Sequence, residues 1–473
     1  MLARKNEAFF LMVRVLLLGC CLFLGFSACR QPEVGAPDKV ILIVADTLRP
    51  DHLSCYGYQA RTTPHIDSLA RSGAIFTQAV NAIPETGPAL SSILTAFYPY
   101  RHGVRANVFP MPQKTRSMVQ VLRDQGFKTA AFTDTFPFRR LKILKGFNFF
   151  HRRVPVKTSE EDYVASAVGP PVSWLRQNKN EKFFVLIHYY DAHLPYNPMR
   201  PSEKTQALDY SGPYNGDMGP AMTLWDDRLE VNSEDVRYMQ SLYDDEIQYV
   251  DRYVGTILEE LENLGIKNET LLVFTADHGE AFGEHAYYFD HGDLLYEDQI
   301  RIPLIFHYPP VIPEGSRFDH QVRSVDVLPT IFQLLGQPSR GRKDGVSLAP
   351  LFKGKKDLLG TRFSVSESDA INFLNPNCRG FIDGVKGKHF SIRRDGKKLI
   401  YVPGHPDGEF EFYDLESDPD ETHNLMSEKP AAARELVEYL RKWLSQQSVL
   451  KSDREKLDQQ AEEILKSLGY IHK

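Results

Sequence analysis

Cysteine is scarce in this 473-residue chain, five residues in all, and no two of them have zinc-ribbon spacing. A disulfide-stapled scaffold and a cysteine-based zinc module are thereby excluded. Positive charge is not in excess either. The 56 Lys+Arg stand against 62 Asp+Glu for a net charge of −6, which gives no footing for a protein that binds nucleic acid by neutralising phosphates. The chain also lacks an apolar run long enough to span a bilayer comfortably, and it has no internal repeat and no low-complexity tract. What it has is a globular composition, 42% hydrophobic and 25% charged, with 29 Phe and 22 Tyr. That is ample for a deep core, in one large domain with an appendage or in several smaller ones.

The first 28 residues read as an export signal. Arg4, Lys5 and Arg14 precede the apolar run from Val15 to Phe26, which has the length and charge asymmetry of a signal sequence. Phe26-Ser27-Ala28-Cys29 resembles a bacterial lipobox, with Phe26 in place of the usual Leu. The expectation is acylation of Cys29 and an exported, membrane-anchored lipoprotein facing the cell envelope or periplasm. Residues 29–38 form a tether. Only Cys55 and Cys378 then remain as thiols.

From Lys39 the pattern alternates. Val40 to Ala45 is a continuous aliphatic run, the mark of a parallel strand buried on both faces. Thr63-Pro64 opens a helix that Gly73 closes, and Ala74 to Val80 is extended again. The alternation continues with a helix over Ser117 to Leu122 and a strand over Lys128 to Phe132. A helix over Ala165 to Leu175, interrupted at Pro170-Pro171, and a strand over Phe183 to His188 follow. Val236, Met239, Tyr243, Ile247, Val250, Val254, Ile257, Leu261 and Leu264 recur at helical spacing, and Leu271 to Ala276 is the next buried strand. This predicts an α/β fold, a mostly parallel sheet flanked by helices, over residues 39–355. Past it, Phe363 to Glu367, Arg379 to Ile392, Lys398 to Val402 and Glu409 to Leu415 predict a small C-terminal antiparallel-sheet subdomain over 356–427. Two helices, Pro430 to Trp443 and Glu455 to Leu468, finish the chain over 428–473.

Three all-apolar strands run into metal-capable side chains. Asp46 follows the first, Asp191 and His193 come shortly after the second, and Asp277 and His278 follow the third. In open α/β sheets ligands bind outside the carboxyl ends of the strands, so these residues are expected to converge there around a divalent cation. An Asp after a strand also caps a following helix, which is the plainer reading of any single one. Thr86 lies where a helix starts, with Pro88 in its first turn, and there it is either the helix cap or a hydroxyl facing a bound anion.

The run Pro84-Glu85-Thr86-Gly87-Pro88-Ala89-Leu90 through Leu94-Thr95-Ala96 to Tyr98-Pro99-Tyr100-Arg101-His102-Gly103 resembles the sulfatase signature. Supporting matches are Ala45-Asp46-Thr47, Thr63-Pro64-His65-Ile66-Asp67, Asp277-His278-Gly279-Glu280 with Gly283-Glu284-His285, Arg301-Ile302-Pro303, Asp326-Val327-Leu328-Pro329-Thr330 and Tyr413-Asp414-Leu415. The resemblance is to the sulfatase branch of the alkaline phosphatase superfamily. It implies an ester hydrolase, a divalent metal (Ca, Mg, Mn or Zn) and a nucleophile at Thr86. Family members carry Cys or Ser there, which becomes formylglycine; Thr86 cannot. The following Ser-Arg pair is Ala89-Leu90, and the second Asp of the usual metal pair is Thr47. These departures point toward phosphate esters, mono- or diester, ahead of sulfate esters.

Asp46, Asp277 and His278 are the expected metal ligands, with Asp191 as a further candidate, and His193 and His291 the expected partners of the ester. Two arrangements are open. Asp191, His193 and His291 bind a second ion, or the two histidines contact the ester and one protonates the leaving group. The expected partner is a small-molecule, glycan or lipid ester, with no nucleic acid. A phosphotransferase that hands the group to another hydroxyl, and a non-catalytic binding homologue, are the alternatives. The basic stretch from Arg139 to Arg153 is expected to be a solvated face, and residues 197–231 a loop shaping access.

Overall fold

The computed structural model describes residues 35–134, 138, 141–217, 230–337, 343–355, 362–368, 388–405 and 408–446. The expected export signal, Cys29, Cys378 and the helix expected over Glu455 to Leu468 lie outside them. The large sheet is built from β1 (Lys39–Ala45), β2 (Ala74–Val80), β3 (Lys128–Thr133), β4 (Phe149–Arg152), β5 (Phe183–Tyr189), β6 (Thr270–Ala276), β7 (Arg301–His307) and β8 (Ser316–Arg323). Its spatial order is β4-β3-β5-β1-β6-β7-β2-β8. All neighbours are parallel except β7, which runs against both β6 and β2. Every residue of β1, β5 and β6 is buried, which is why these strands show no alternation in sequence.

Helices cover both faces, as short crossovers between parallel strands require. The helix Ser233–Asn263 is the longest at 31 residues, and its Asp251 accepts hydrogen bonds from the backbone N–H groups of His65 and Ile66. That carboxylate caps the helix Pro64–Arg71, whose own Thr63 makes no capping bond. The interruption expected at Pro170-Pro171 does not occur: Glu160–Asn178 is one helix with both prolines inside. Burial of Tyr163, Val168, Trp174 and Leu175 against the core outweighs the backbone bonds that the prolines remove.

The second sheet is antiparallel, in the order β12-β11-β10-β9, from β9 (Ser364–Glu367), β10 (Phe390–Arg394), β11 (Lys397–Tyr401) and β12 (Phe410–Asp414). The helix Pro430–Gln446 packs on it through Ala433, Leu436 and Leu440. Its β9 is stitched to the segment after β2: Ser366 Oγ donates to the Asn81 carbonyl at 2.6 Å, and the Glu367 N–H to that of Ala82. Among the described residues no helix is long and apolar enough to cross a membrane.

Candidate active site

Strand register builds the centre of the site. Ala45 of β1 lies opposite Tyr189 of β5 and Ala276 of β6, so Asp46 and Asp277 each follow one residue beyond the paired ends. The Asp46 N–H still donates to the Tyr189 carbonyl. His188 sits one residue before the end of β5, opposite Val44. Since side chains alternate along a strand, His188 shares a face with the position opposite Asp46. One donor atom each from Asp46, His188 and Asp277 lie within 4.8 Å of one another, with His188 Nε2 3.3 Å from Asp277 Oδ2 and 3.6 Å from Asp46 Oδ2.

His278 approaches from the side of Thr86. Its Nδ1 lies 2.9 Å from the Gly279 carbonyl, which can only accept, so Nδ1 carries the proton and Nε2 presents a lone pair. That Nε2 is 3.5 Å from Asp46 Oδ1, a buried oxygen with no hydrogen-bond donor. Two lone pairs facing each other with no proton between them fit a shared cation and little else. Burial, and then the charges of Asp277 and Glu280, hold the Asp46 carboxyl well above its usual range; a cation would relieve this repulsion. The donor set therefore fits a divalent ion held by Asp46, His188 and Asp277, with His278 as a fourth donor.

Thr86 opens a helix, Thr86–Thr95, in which all ten residues are buried. It occupies the first turn and Glu85 the cap position, so the reading of Thr86 as a mere cap is replaced. Its Oγ1 lies 3.4 Å from Asp46 Oδ2 and 3.4 Å from His278 Nε2. Asn107 fixes this turn by accepting from the Gly87 N–H at 2.8 Å and donating its own N–H to Glu85 at 2.7 Å. A side chain at 87 would meet Leu141 Cδ1 at 2.6 Å and Asn107 Oδ1 at 2.8 Å, so only glycine lets the turn pack here.

His291 and His193 form the opposite wall. Their rings meet edge to face at 5.0 Å, and His291 lies 4.3 Å from the His278 ring. His291 Nδ1 bonds to Glu280 Oε1 at 3.0 Å, and Glu280 also accepts from Tyr196 OH. Burial would lower the His291 pKa, but Glu280 raises it above the ordinary value. His193 is the reverse case. It stacks on Tyr190 at 4.2 Å, and burial and His291 hold it well below the ordinary value.

Asp191 is not brought into this cluster. Its oxygens accept from Arg153 Nη1 at 2.8 and 3.1 Å, Tyr163 OH at 2.7 Å and Tyr253 OH at 2.9 Å. Arg153 offsets its charge and these donors hold it in place, and the expected Asp191, His193 and His291 ion site is not assembled.

The sulfatase family model matches residues 38–337. This chain belongs to the sulfatase family. A second match, to the N-sulphoglucosamine sulphohydrolase C-terminal family, covers residues 283–449. The multifunctional alkaline phosphatase superfamily protein PehA of Trinickia caryophylli is 24% identical, across 86% of this chain and 94% of its own. An N-acetylglucosamine-6-O-sulfatase of Bacteroides thetaiotaomicron is 23% identical, across 87% of each. The crystal structure of a phosphonate monoester hydrolase of Agrobacterium radiobacter shares the fold, with a TM-score of 0.68 at 21% identity over 86% of this chain and 95% of that one. The protein is thus an ester hydrolase of the sulfatase and alkaline phosphatase superfamily.

Within this sulfatase-family site, Thr47 takes no part in metal binding. It has a φ of 52° and its Oγ1 donates to the Ala192 carbonyl at 2.6 Å, so the side chain ties two loops together. Ala89 and Leu90 are fully buried. His102 bonds to Ser92 Oγ and accepts from the Val104 N–H, and His285 stacks on Tyr296; both are structural. Sequence reading missed His188 and Glu280. The signal for His188 was present, as the one imidazole inside the otherwise apolar and aromatic run Phe183–Tyr189. Glu280 stood in a quoted motif without a role.

Proposed function

We propose that this sulfatase-family protein cleaves a phosphate ester through a covalent bond to Thr86. The observation that carries the reading is Thr86 Oγ1 at 3.4 Å from both Asp46 and His278, beside carboxylates and imidazoles fitted to one cation. A bound divalent ion lowers the pKa of a hydroxyl near it and offsets charge building on the ester oxygens. Asp46, His188, Asp277 and His278 would hold it; two imidazoles among oxygen donors favour zinc or manganese over calcium or magnesium.

The chain's own residues supply the rest. Thr86 Oγ1 passes its proton to Asp46 Oδ2, the acceptor at 3.4 Å, and attacks the phosphorus as the bond to the leaving oxygen breaks in line with it. His291, whose pKa Glu280 raises against burial, donates its Nε2 proton to that oxygen. Water then gives a proton back to His291 as it attacks the phosphorus, and the released Thr86 oxygen recovers its proton from Asp46. A threonine ester has no second hydroxyl through which to expel the bound group, so it must be opened at its central atom. That requirement favours phosphorus over sulfur, in keeping with the likeness to a phosphonate monoester hydrolase. The engagement of Asp191 elsewhere favours the arrangement in which His193 and His291 meet the ester directly.

Rates on matched aryl phosphomonoester, phosphodiester, phosphonate and sulfate esters test the proposal. The phosphorus esters are expected to turn over faster, and a clear preference for the sulfate ester would overturn the assignment. His188→Ala is expected to weaken metal binding by at least about tenfold, measured by elemental analysis after dialysis. Unchanged metal content would remove His188 from the ligand set.

A further inference from the structure

The large sheet ends on one side at β4, and the chain that leaves this edge strand stays on the surface. Among the described residues four large apolar side chains are exposed: Phe149 at 42%, Val154 at 67%, Val156 at 43% and Val346 at 38%. Three of the four fall within residues 149–156. Scattered singly, such side chains need no explanation, but crowded together they mark a surface that meets an apolar partner. Phe149 is also held in place, its ring 5.6 Å from that of Phe132.

The same segment is strongly basic. Residues 135–159 hold seven Lys and Arg and no Asp or Glu, in a chain whose net charge is −6. Arg153 turns inward onto Asp191 and Asp134. Lys142, Lys145, Arg152 and Lys157 are exposed, and none of them is paired with a carboxylate among the described residues. The acids that follow, Glu160, Glu161 and Asp162, form the first turn of the next helix. There Glu160 is paired with Arg252, and Asp162 accepts from Thr158 Oγ1 at 2.5 Å. The stretch expected as a solvated face is thus basic and apolar at once.

That combination selects the occupant. Addition of a strand from a second chain is disfavoured, because Pro155 and the charges of Arg152 and Lys157 interrupt the edge. A soluble polyanion would engage the cations and leave Phe149, Val154 and Val156 in water. A bilayer with anionic headgroups takes both, the cations at its phosphates and the apolar side chains just beneath them. The reach of the chain agrees. Phe149 lies opposite Ala130, Ala130 opposite Val185 and Val185 opposite Ile41. It is therefore level with the start of β1 and three strand spacings from it, about 14 Å. The tether expected over residues 29–38 spans about 33 Å when extended, enough for an anchor at Cys29 and this edge to share one bilayer. We propose that the β4 edge, through Phe149, Arg152, Val154, Val156 and Lys157, docks on the surface of an anionic lipid bilayer.

The test uses the full chain in phosphatidylcholine vesicles, with and without phosphatidylglycerol at about 30%. Val154→Trp places a reporter on the edge, Val346→Trp places one at the remaining exposed valine as the control, and Val156→Trp repeats the measurement on the edge. Fluorescence is read as the difference from the parent, whose three tryptophans are common to all variants. Attachment through residues 1–29 is common to them too, so quenching by lipids brominated beneath the headgroup reports the depth of the edge rather than binding. In the anionic vesicles Val154→Trp is expected to be quenched about threefold more strongly than Val346→Trp. Adding Arg152→Glu and Lys157→Glu should remove most of that difference, as should leaving out phosphatidylglycerol, and all variants should melt close to the parent because each site is exposed. Equal quenching of the edge and control indoles in anionic vesicles would overturn the proposal. So would quenching that persists undiminished without the anionic lipid, or an edge indole shielded from aqueous acrylamide yet untouched by brominated lipid, the result expected where a second copy covers the edge.

Discussion

Thr86→Ala is expected to lower turnover of an aryl phosphodiester by roughly four orders of magnitude or more, with metal content and thermal stability close to those of the parent. The loss is large because the neighbouring serines of its helix are engaged elsewhere: within the helix Thr86–Thr95, Ser91 and Ser92 donate to the carbonyls of Gly87 and Pro88, one turn back from their own positions. Metal binding should survive because the three closely clustered donors come from strand ends and not from this helix. Thr86→Ser keeps the hydroxyl and should retain a substantial share of the rate. Burst kinetics with the parent, and their absence in the alanine variant, would follow from a covalent ester. Undiminished turnover in Thr86→Ala would remove the nucleophile and leave water as the attacking group.

Glu367→Gln is expected to destabilise the fold by about 3–5 kcal/mol, the cost of breaking a buried ion pair by removing one partner. Glu367 is 1% exposed and accepts from Arg105 Nε at 2.8 Å, Arg105 Nη2 at 2.9 Å and Lys388 Nζ at 2.8 Å. Burial alone would raise its pKa, but Arg105 and Lys388 outweigh burial and bring it down to about 2, from an ordinary value of 4.5. A depressed carboxylate stabilises the fold fully above its unfolded value. That contribution, about 3 kcal/mol, is lost as pH falls from about 4.5 toward about 2. Denaturant unfolding should therefore show the variant losing less stability than the parent over this acid window; parallel curves would contradict the assignment. Because β9 is bonded to Asn81 and Ala82, four residues before Thr86, the variant should also lose kcat before it loses its fold.

Different parts of the site were legible to different degrees. Asp46 and the Asp277-His278 pair could be read because each directly follows a buried strand, where a polar side chain has few reasons to be. His188 lies within such a strand, where apolar neighbours disguise it, and it enters the site only through the register of β5 against β1. Asp191 carried the same signal as Asp46, yet it belongs to Arg153, Tyr163 and Tyr253, partners 28 to 62 residues distant along the chain. The unbroken helix through Pro170 and Pro171 shows the same limit, since local propensity does not register the burial that overrides it.

By itself, the order of residues determined the alternation of strand and helix, the switch to an antiparallel appendage, the family, and the placement of Thr86 at a helix start. These are set by periodicity and short-range motifs, which act over one or two turns or strands. Only the tertiary structure decided which acids and imidazoles share a centre, that Glu280 bonds His291, and that Asp191 turns to Arg153. Those outcomes depend on which side chains meet across the sheet and on which lone pairs remain unspent there, and neither is a local property of the chain.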